Sequence, residues 1–279
     1  MAITAAGEAF ADGDAGARSA QPRQFIVTVY GLYARADGGW LSVASLIALL
    51  ADLDIDEPAV RSSISRLKRR GILVAERRGG AAGYALSDEG LAVLREGDER
   101  IFRRERSTLA EGWLLAVFSV PESERNKRHV LRSQLTRLGF GTAAPGVWIA
   151  PAHLHEATAA MLRQQDLDGY ADLFRADHVA FGDVARKMRQ WWDLDELERQ
   201  YTAFLDDHEP VGKRWRGPGE GREAFVDYVR VLTSWRRLPY LDPGLPVELL
   251  PADWVGTRAA DLFFALRERL EAGARAYVS

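Results

Sequence analysis

Cysteine is absent from all 279 residues. That excludes a disulfide framework, a cysteine nucleophile, iron–sulfur clusters and thiolate zinc sites, and it fits a reducing cytoplasm. The sequence also lacks any run of roughly 18 to 20 uncharged apolar residues of the kind a membrane-spanning helix needs. The opening MAITAAGEAFADGDAGARSA has neither the basic start nor the apolar core of a signal peptide. Its Ala, Gly and Asp bury too little surface to offset the entropy of ordering, so residues 1–22 are expected to be a disordered tail.

Catalytic signatures are equally scarce. No Ser stands in G-x-S-x-G, and Gly212-Lys213 is followed by Arg214, so a phosphate-binding loop is missing. Gly139-Phe140-Gly141-Thr142-Ala143-Ala144 fits the string of a dinucleotide site, yet it follows a predicted helix and leads into Pro145-Gly146. His153 with His155, and Asp206-Asp207-His208-Glu209, invite a metal reading. Alternating His beside a helix start is ordinary surface, and an acidic run ahead of Pro210 reads as a solvated helix end, so neither metal nor cofactor is expected.

What is present is an average globular composition, 47% hydrophobic and 28% charged, with a net charge of −3. The length predicts two or three domains at about 100 to 200 residues each. The charge is unevenly placed: between Arg61 and Arg78 stand seven basic residues and a single acid, Glu76.

Ahead of that basic stretch, Phe25, Ile26, Val29, Tyr30, Leu32 and Tyr33 recur at helical spacing until Asp37-Gly38-Gly39 breaks the pattern. Ser42 is placed to cap a second helix. A third has Asp56 as N-cap, Pro58 in its first turn and Gly71 past its end. Its core stripe is Val60, Ile64 and Leu67. At about 100° per residue, Ser62, Ser65, Arg66 and Arg69 then project to the opposite side, flanked by Arg61 and Arg70. Two short strands follow around a Gly-rich loop from Arg77 to Gly83, with Arg77 and Arg78 at its start. A helix–turn–helix followed by a wing, with the same charge on helix and wing, suits double-stranded DNA: donors for a major groove from the helix and phosphate contacts from the hairpin. A solvated basic face is the plainer alternative.

From Trp113 the pattern becomes strand, helix, two strands, helix, strand, the order of a ferredoxin-like βαββαβ sandwich. Beyond about Lys187 the chain is helical and aromatic-rich, with five of its eight Trp residues, most of them expected in a core. The fold class is therefore α+β and multidomain: a winged helix–turn–helix over 23–108, a ferredoxin-like sandwich over 109–184 and a mainly α C-terminal domain over 185–279. Lys213, Arg214, Trp215 and Arg216 put three cations around one Trp, a set suited to phosphates and a stacked base.

The stretch from Tyr30 to Gly90 resembles the N-terminal domain of the PaaX-type repressors, which govern phenylacetate-catabolic genes in bacteria. Gly146-Val147-Trp148-Ile149-Ala150-Pro151 is similar to that family's middle domain, and DPGLPVELLPADWVG from Asp242 to Gly256 resembles its C-terminal signature. The resemblance implies a homodimeric repressor that binds a palindromic operator and releases it on binding an aryl-acyl coenzyme A thioester, typically phenylacetyl-coenzyme A (phenylacetyl-CoA). The 213–216 cluster is the candidate effector site, and the sandwich the candidate dimer module. The middle region also resembles the small CRISPR-adaptation nucleases, which carry an acid directly after the first strand. Here Ser119-Val120-Pro121 stands there with Glu122 as the nearest acid, and no nuclease is expected. A coenzyme A thioester enzyme or nuclease with a targeting winged head, and a regulator of a different acyl or aromatic pathway, remain the alternatives.

Overall fold

A computed structural model describes residues 17–102 and 106–279; residues 1–16 of the expected tail lie outside the described residues. The fold is α+β with two antiparallel sheets. The chain divides into two compact units that do not follow chain order. One joins the N-terminal region through Phe102 with Phe204–Arg237 and Ala259–Ser279, and the other holds Arg103–Ala203 with Leu238–Arg258.

In the first unit, α1 (Ala17–Val29) continues through a π-helical turn, Tyr30–Ala34, and a 3-10 turn, Arg35–Asp37, ending at Gly38 with φ 79°. Phe25, Ile26, Val29, Tyr30, Leu32 and Tyr33 are all buried, as their spacing predicts. A short strand, β1 (Trp40–Ser42), leads into α2 (Val43–Ala51), where Ser42 Oγ accepts the Ser45 N–H at 2.9 Å. After a tight turn comes α3 (Glu57–Arg69). Its N-cap Asp56 accepts from the Ala59 N–H at 2.8 Å, and Val60, Ile64 and Leu67 are buried facing the core of the unit. The hairpin β2 (Leu73–Arg78) and β3 (Ala81–Leu86) follows, then α4 (Asp88–Phe102), capped by Ser87, whose Oγ accepts the Gly90 N–H at 2.9 Å.

The wing differs from its sequence-based outline. The strands run to Arg78 and restart at Ala81, pairing in register throughout, so the loop predicted from Arg77 to Gly83 shrinks to Gly79-Gly80. Both glycines have positive φ, 56° and 83°, as a two-residue type I′ hairpin turn requires. The added ladder bonds explain the difference: Ala81, Ala82 and Gly83 have small side chains that do not oppose an extended backbone, and β1 pairs with β3 to complete a sheet of order β1-β3-β2.

Trp40 lies across Gly83, where a Cβ would sit 2.4 Å from the indole and 2.5 Å from the Leu41 carbonyl oxygen. Gly83→Ala therefore forces strand β1 away from the wing. The expected loss is about 1 to 3 kcal/mol of stability, read as a lowered urea midpoint. An unchanged midpoint would show that the indole swings aside at no cost.

The second unit contains the sandwich: β4 (Trp113–Phe118), α5 (Arg125–Leu138), β5 (Gly141–Ala144), β6 (Val147–Pro151), α6 (His155–Gln164) and β7 (Ala171–Ala176). The sheet order β5-β6-β4-β7, antiparallel throughout, is ferredoxin-like. Leu114, Ala116, Trp148 and Ala150 pack one face of the sheet onto Leu131 and Leu135 of α5 and Met161 and Leu162 of α6. The opposite face brings Leu115 beside Phe174, with Val117 next along β4. Val117 and Phe174 are 37% and 51% exposed, an apolar patch that the described residues leave open.

The remaining chain is helical: α7 (Val184–Trp191), α8 (Leu194–Arg214), α9 (Gly221–Trp235), the short α10 (Leu238–Leu241) and α11 (Val255–Val278). Among the described residues, no helix is long and apolar enough to cross a membrane. The aromatics supply core, as expected. In the first unit Trp235 stacks on Phe263 at 4.7 Å, and Tyr33, in the π-helical turn that extends α1, meets Phe225 of α9 at 5.7 Å. Thr28 and Thr233 hydroxyls join the same two helices at 2.8 Å.

In the second unit, Trp191 and Trp192 both pack on Trp113. The Pro-rich segment is pinned there by Asp242, whose buried carboxylate accepts from Arg106, from the Tyr201 hydroxyl at 2.7 Å and from the Gly244 N–H at 2.8 Å.

The acidic run before Pro210 is no helix end, because α8 continues through Pro210 to Arg214. Asp206 and Asp207 are exposed on it. His208 is buried against Phe204, and burial pushes its pKa down, which favours the neutral imidazole.

Candidate nucleic-acid interface

The residues that position α3 are local ones. Asp56 fixes its start, the Val60, Ile64 and Leu67 stripe fixes its rotation, and its outer face follows from both. Ser62, Ser65 and Arg69 are exposed there, Arg66 is half-buried, and Arg61 and Arg70 are exposed at the flanks. The structure thus brings together on one face all four residues predicted to read the groove.

Arg61 is tied to Glu57 one turn earlier, its Nε 2.7 Å from the carboxylate. Such an exposed i, i+4 pair contributes only about 0.3 to 0.5 kcal/mol, so a phosphate can displace it.

Sequence reasoning missed Arg23. It stands on α1, is only 6% exposed, and its pKa is pushed down first by burial and then by the charges of Arg70 and Arg66. The charges of Arg66 and Arg70 on α3 are thus felt by a buried guanidinium on α1. The signal was available: Arg23 precedes Ile26 and Tyr30 at i, i+3 and i+7, the periodicity that turns α1 toward its neighbours.

On the wing, Arg77 donates to the Gly80 carbonyl at 2.7 Å across the turn. Arg78 is held more firmly. Its Nε donates to Glu76 at 2.6 Å, a terminal nitrogen reaches the Gly38 carbonyl at 3.2 Å, and the guanidinium lies 5.7 Å from the centre of the Trp40 ring. The Arg78 hydrogen bond in turn holds the Glu76 carboxyl below the usual carboxylate range. Arg78, the last residue before the hairpin turn, thus ties the wing to Gly38 and Trp40.

The turn between α2 and α3 is gripped by the C-terminal helices. Arg222 at the start of α9 donates to Asp52 at 2.6 Å, the Tyr277 hydroxyl near the end of α11 donates to the same carboxylate at 2.8 Å, and Arg230 reaches Asp54 at 2.7 Å. Asp54 has a positive φ of 65°, so the turn is held in a conformation that few non-glycine residues adopt.

The cluster at 213–216 has a different arrangement from a cradle. Arg214 and the Trp215 indole N–H both donate to the buried Asp227 carboxylate, and the Trp215 carbonyl accepts from Arg269 at 2.7 Å. Lys213 and Arg216 are exposed on either side. In the sandwich, Glu122 sits on the surface and pairs with Arg128 at 3.0 Å.

Family models match the chain in three consecutive stretches: "PaaX-like protein" over residues 21–90, "PaaX protein central Cas2-like domain" over 106–188, and "PaaX-like protein C-terminal domain" over 192–279. The chain belongs to the PaaX-like family. It is 29% identical over 260 residues to the transcriptional repressor PaaX of Escherichia coli, a match covering 91% of this chain and 82% of that protein. Among solved structures it is similar to the uncharacterized protein Rv0674 from Mycobacterium tuberculosis, with a TM-score of 0.63, 26% identity, and coverage of 92% of this chain and 98% of that one. The outer face of α3 lies within the first PaaX-like stretch.

Proposed function

We propose that this protein is a DNA-binding transcriptional repressor of phenylacetate or related aromatic catabolic genes, a regulator and not an enzyme. The observation that carries the reading is the Ser62, Ser65, Arg66 and Arg69 face on a capped, core-anchored α3, with Arg61 and Arg70 exposed at its flanks, in a chain of the PaaX-like family. Serine hydroxyls and arginine forks are donors suited to base edges and phosphates in a major groove. Arg61, Arg77 and Arg78 supply phosphate contacts at the periphery once their internal partners yield.

The active form is a homodimer on a palindromic operator, since two half-sites need two heads. The exposed Val117 and Phe174 on the open sheet face support the sandwich as the dimer contact. Release follows binding of an aryl-acyl coenzyme A thioester, which shifts the spacing of the two heads.

The test is fluorescence anisotropy on the gene's own upstream DNA at two salt concentrations, with and without phenylacetyl-CoA. Specific binding that the thioester releases supports the whole reading. Weak, sequence-independent binding that collapses with salt defeats it.

A further inference from the structure

The first unit encloses a cavity of about 280 Å³ among α1, α4, α9 and α11. Its floor is apolar, formed by Val27, Leu32, Leu94, Ile101, Phe102 and Leu232. Its rim carries three arginines, Arg35, Arg267 and Arg275, against two acids, Asp98 and Glu271, with Arg236 buried in the wall. Arg35 takes Asp98 with both terminal nitrogens, at 2.6 and 3.3 Å. Arg267 meets Glu271 at 3.1 Å while its guanidinium lies 4.5 Å from the centre of the Phe102 ring. Arg236 is 3% exposed and donates to the Gln24 carbonyl at 3.0 Å, and Arg275 donates to the Leu32 carbonyl at 3.1 Å. Positive charge therefore exceeds negative in a half-closed apolar space, the combination that selects an anion with a hydrophobic body.

Two backbone features keep the space open. The π-helical turn Tyr30–Ala34 supplies Gly31 and Leu32 to the wall, and π turns inside helices are rare and recur at functional sites. Gly31 and Gly97 both line the cavity from helical positions, where glycine is about 1 kcal/mol worse than alanine. A Cβ at Gly31 would stand 3.3 Å from Leu94.

We propose that this cavity binds a small organic anion, seating an acyl or aryl body on the apolar floor and its negative group on the rim arginines. The regulatory consequence rests on the repressor reading above. Helices α9 and α11 line the cavity and also hold the turn ahead of α3 through Arg222, Arg230 and Tyr277, so occupancy is felt at the DNA-reading helix. The same chemistry has two sources: a free carboxylic acid, whose carboxylate meets the rim, or a coenzyme A thioester whose acyl end enters the cavity and whose phosphates meet the rim arginines.

Calorimetric titration of the full-length protein with phenylacetate, phenylacetyl-CoA and free coenzyme A distinguishes them. Two variants locate the site. Gly97→Leu fills the cavity, and Arg267→Gln with Arg275→Gln strips charge from the rim, with loss of the Phe102 ring contact and the Leu32 hydrogen bond. Each is expected to weaken binding of the active probe by about tenfold or more, as loss of a charge-assisted contact or of the space itself predicts. Thermal unfolding checks that the variants fold, and the rim pair stands alone if Gly97→Leu does not.

Binding of phenylacetate assigns the free acid, and binding of the thioester alone assigns the conjugate. Free coenzyme A binding as tightly as the thioester places recognition on the nucleotide and overturns the proposal. Unchanged probe affinity in the folded variants also overturns it while leaving the repressor reading intact, as does a wild type that binds its operator specifically but none of the probes. Failure to bind operator DNA at all defeats the repressor reading separately.

Discussion

Replacing Arg66 and Arg69 together with alanine is expected to weaken operator binding by about 2 to 6 kcal/mol, leaving salt-sensitive, sequence-independent association. Each arginine stands on the outer face of α3, and loss of a base-edge contact is worth about 1 to 3 kcal/mol, with relaxed preference at the base concerned. Neither side chain belongs to the Val60, Ile64 and Leu67 stripe, so the fold should tolerate the change. Competition anisotropy against operator and scrambled DNA reads the result, with circular dichroism as the control. Arg78→Ala is the informative contrast. That side chain is engaged by Glu76, Gly38 and Trp40, so its loss should weaken binding evenly across sequences. If the double variant binds operator as tightly as the parent, the groove is read by another face and the assigned orientation of α3 is wrong.

The largest effect on stability is expected from Asp242→Ala. Its carboxylate is the shared acceptor for Arg106 and Tyr201, and the side chain is 7% exposed. Removing it leaves a mostly buried guanidinium without its counter-charge and a buried phenol without its acceptor, which costs about 3 to 5 kcal/mol. Urea unfolding followed by tryptophan fluorescence suits the second unit, because Trp113, Trp191 and Trp192 cluster there. Asp242→Asn keeps one oxygen and should recover part of the loss. A shift below about 1 kcal/mol for alanine would mean that water enters and satisfies the pair.

The elements legible in the sequence are those whose signals are local. Asp56, Pro58 and Gly71 bracket α3 within a few residues of chain, and its stripe fixes its rotation without reference to anything distant. The sandwich announces itself through the alternation of strands and helices, which any partner-independent periodicity reveals. What escaped depends on partners far away in sequence. Trp40 to Ser42 is a strand because β3 lies beside it, more than 40 residues later. Arg78 reads as a wing cation in sequence and becomes a brace only when Gly38 and Trp40 fold next to it. Arg214 and Trp215 look like an open phosphate cradle until α9 presents Asp227. The cavity is invisible for the same reason, since Gly31, Gly97, Leu232 and Arg267 come from four helices.

The make-up of the first unit also limits how this chain can be taken apart. A fragment ending after α4 would bare the side of α1 that meets Thr233 and Phe225, and would strip Arg222, Arg230 and Tyr277 from the turn ahead of α3. The proposed DNA reader is therefore not a portable cassette. Any chimera built on it has to carry the helices from the far end of the chain, and a nonsense codon shortly before Tyr277 is expected to weaken operator binding although it falls more than 200 residues from the helix proposed to read DNA.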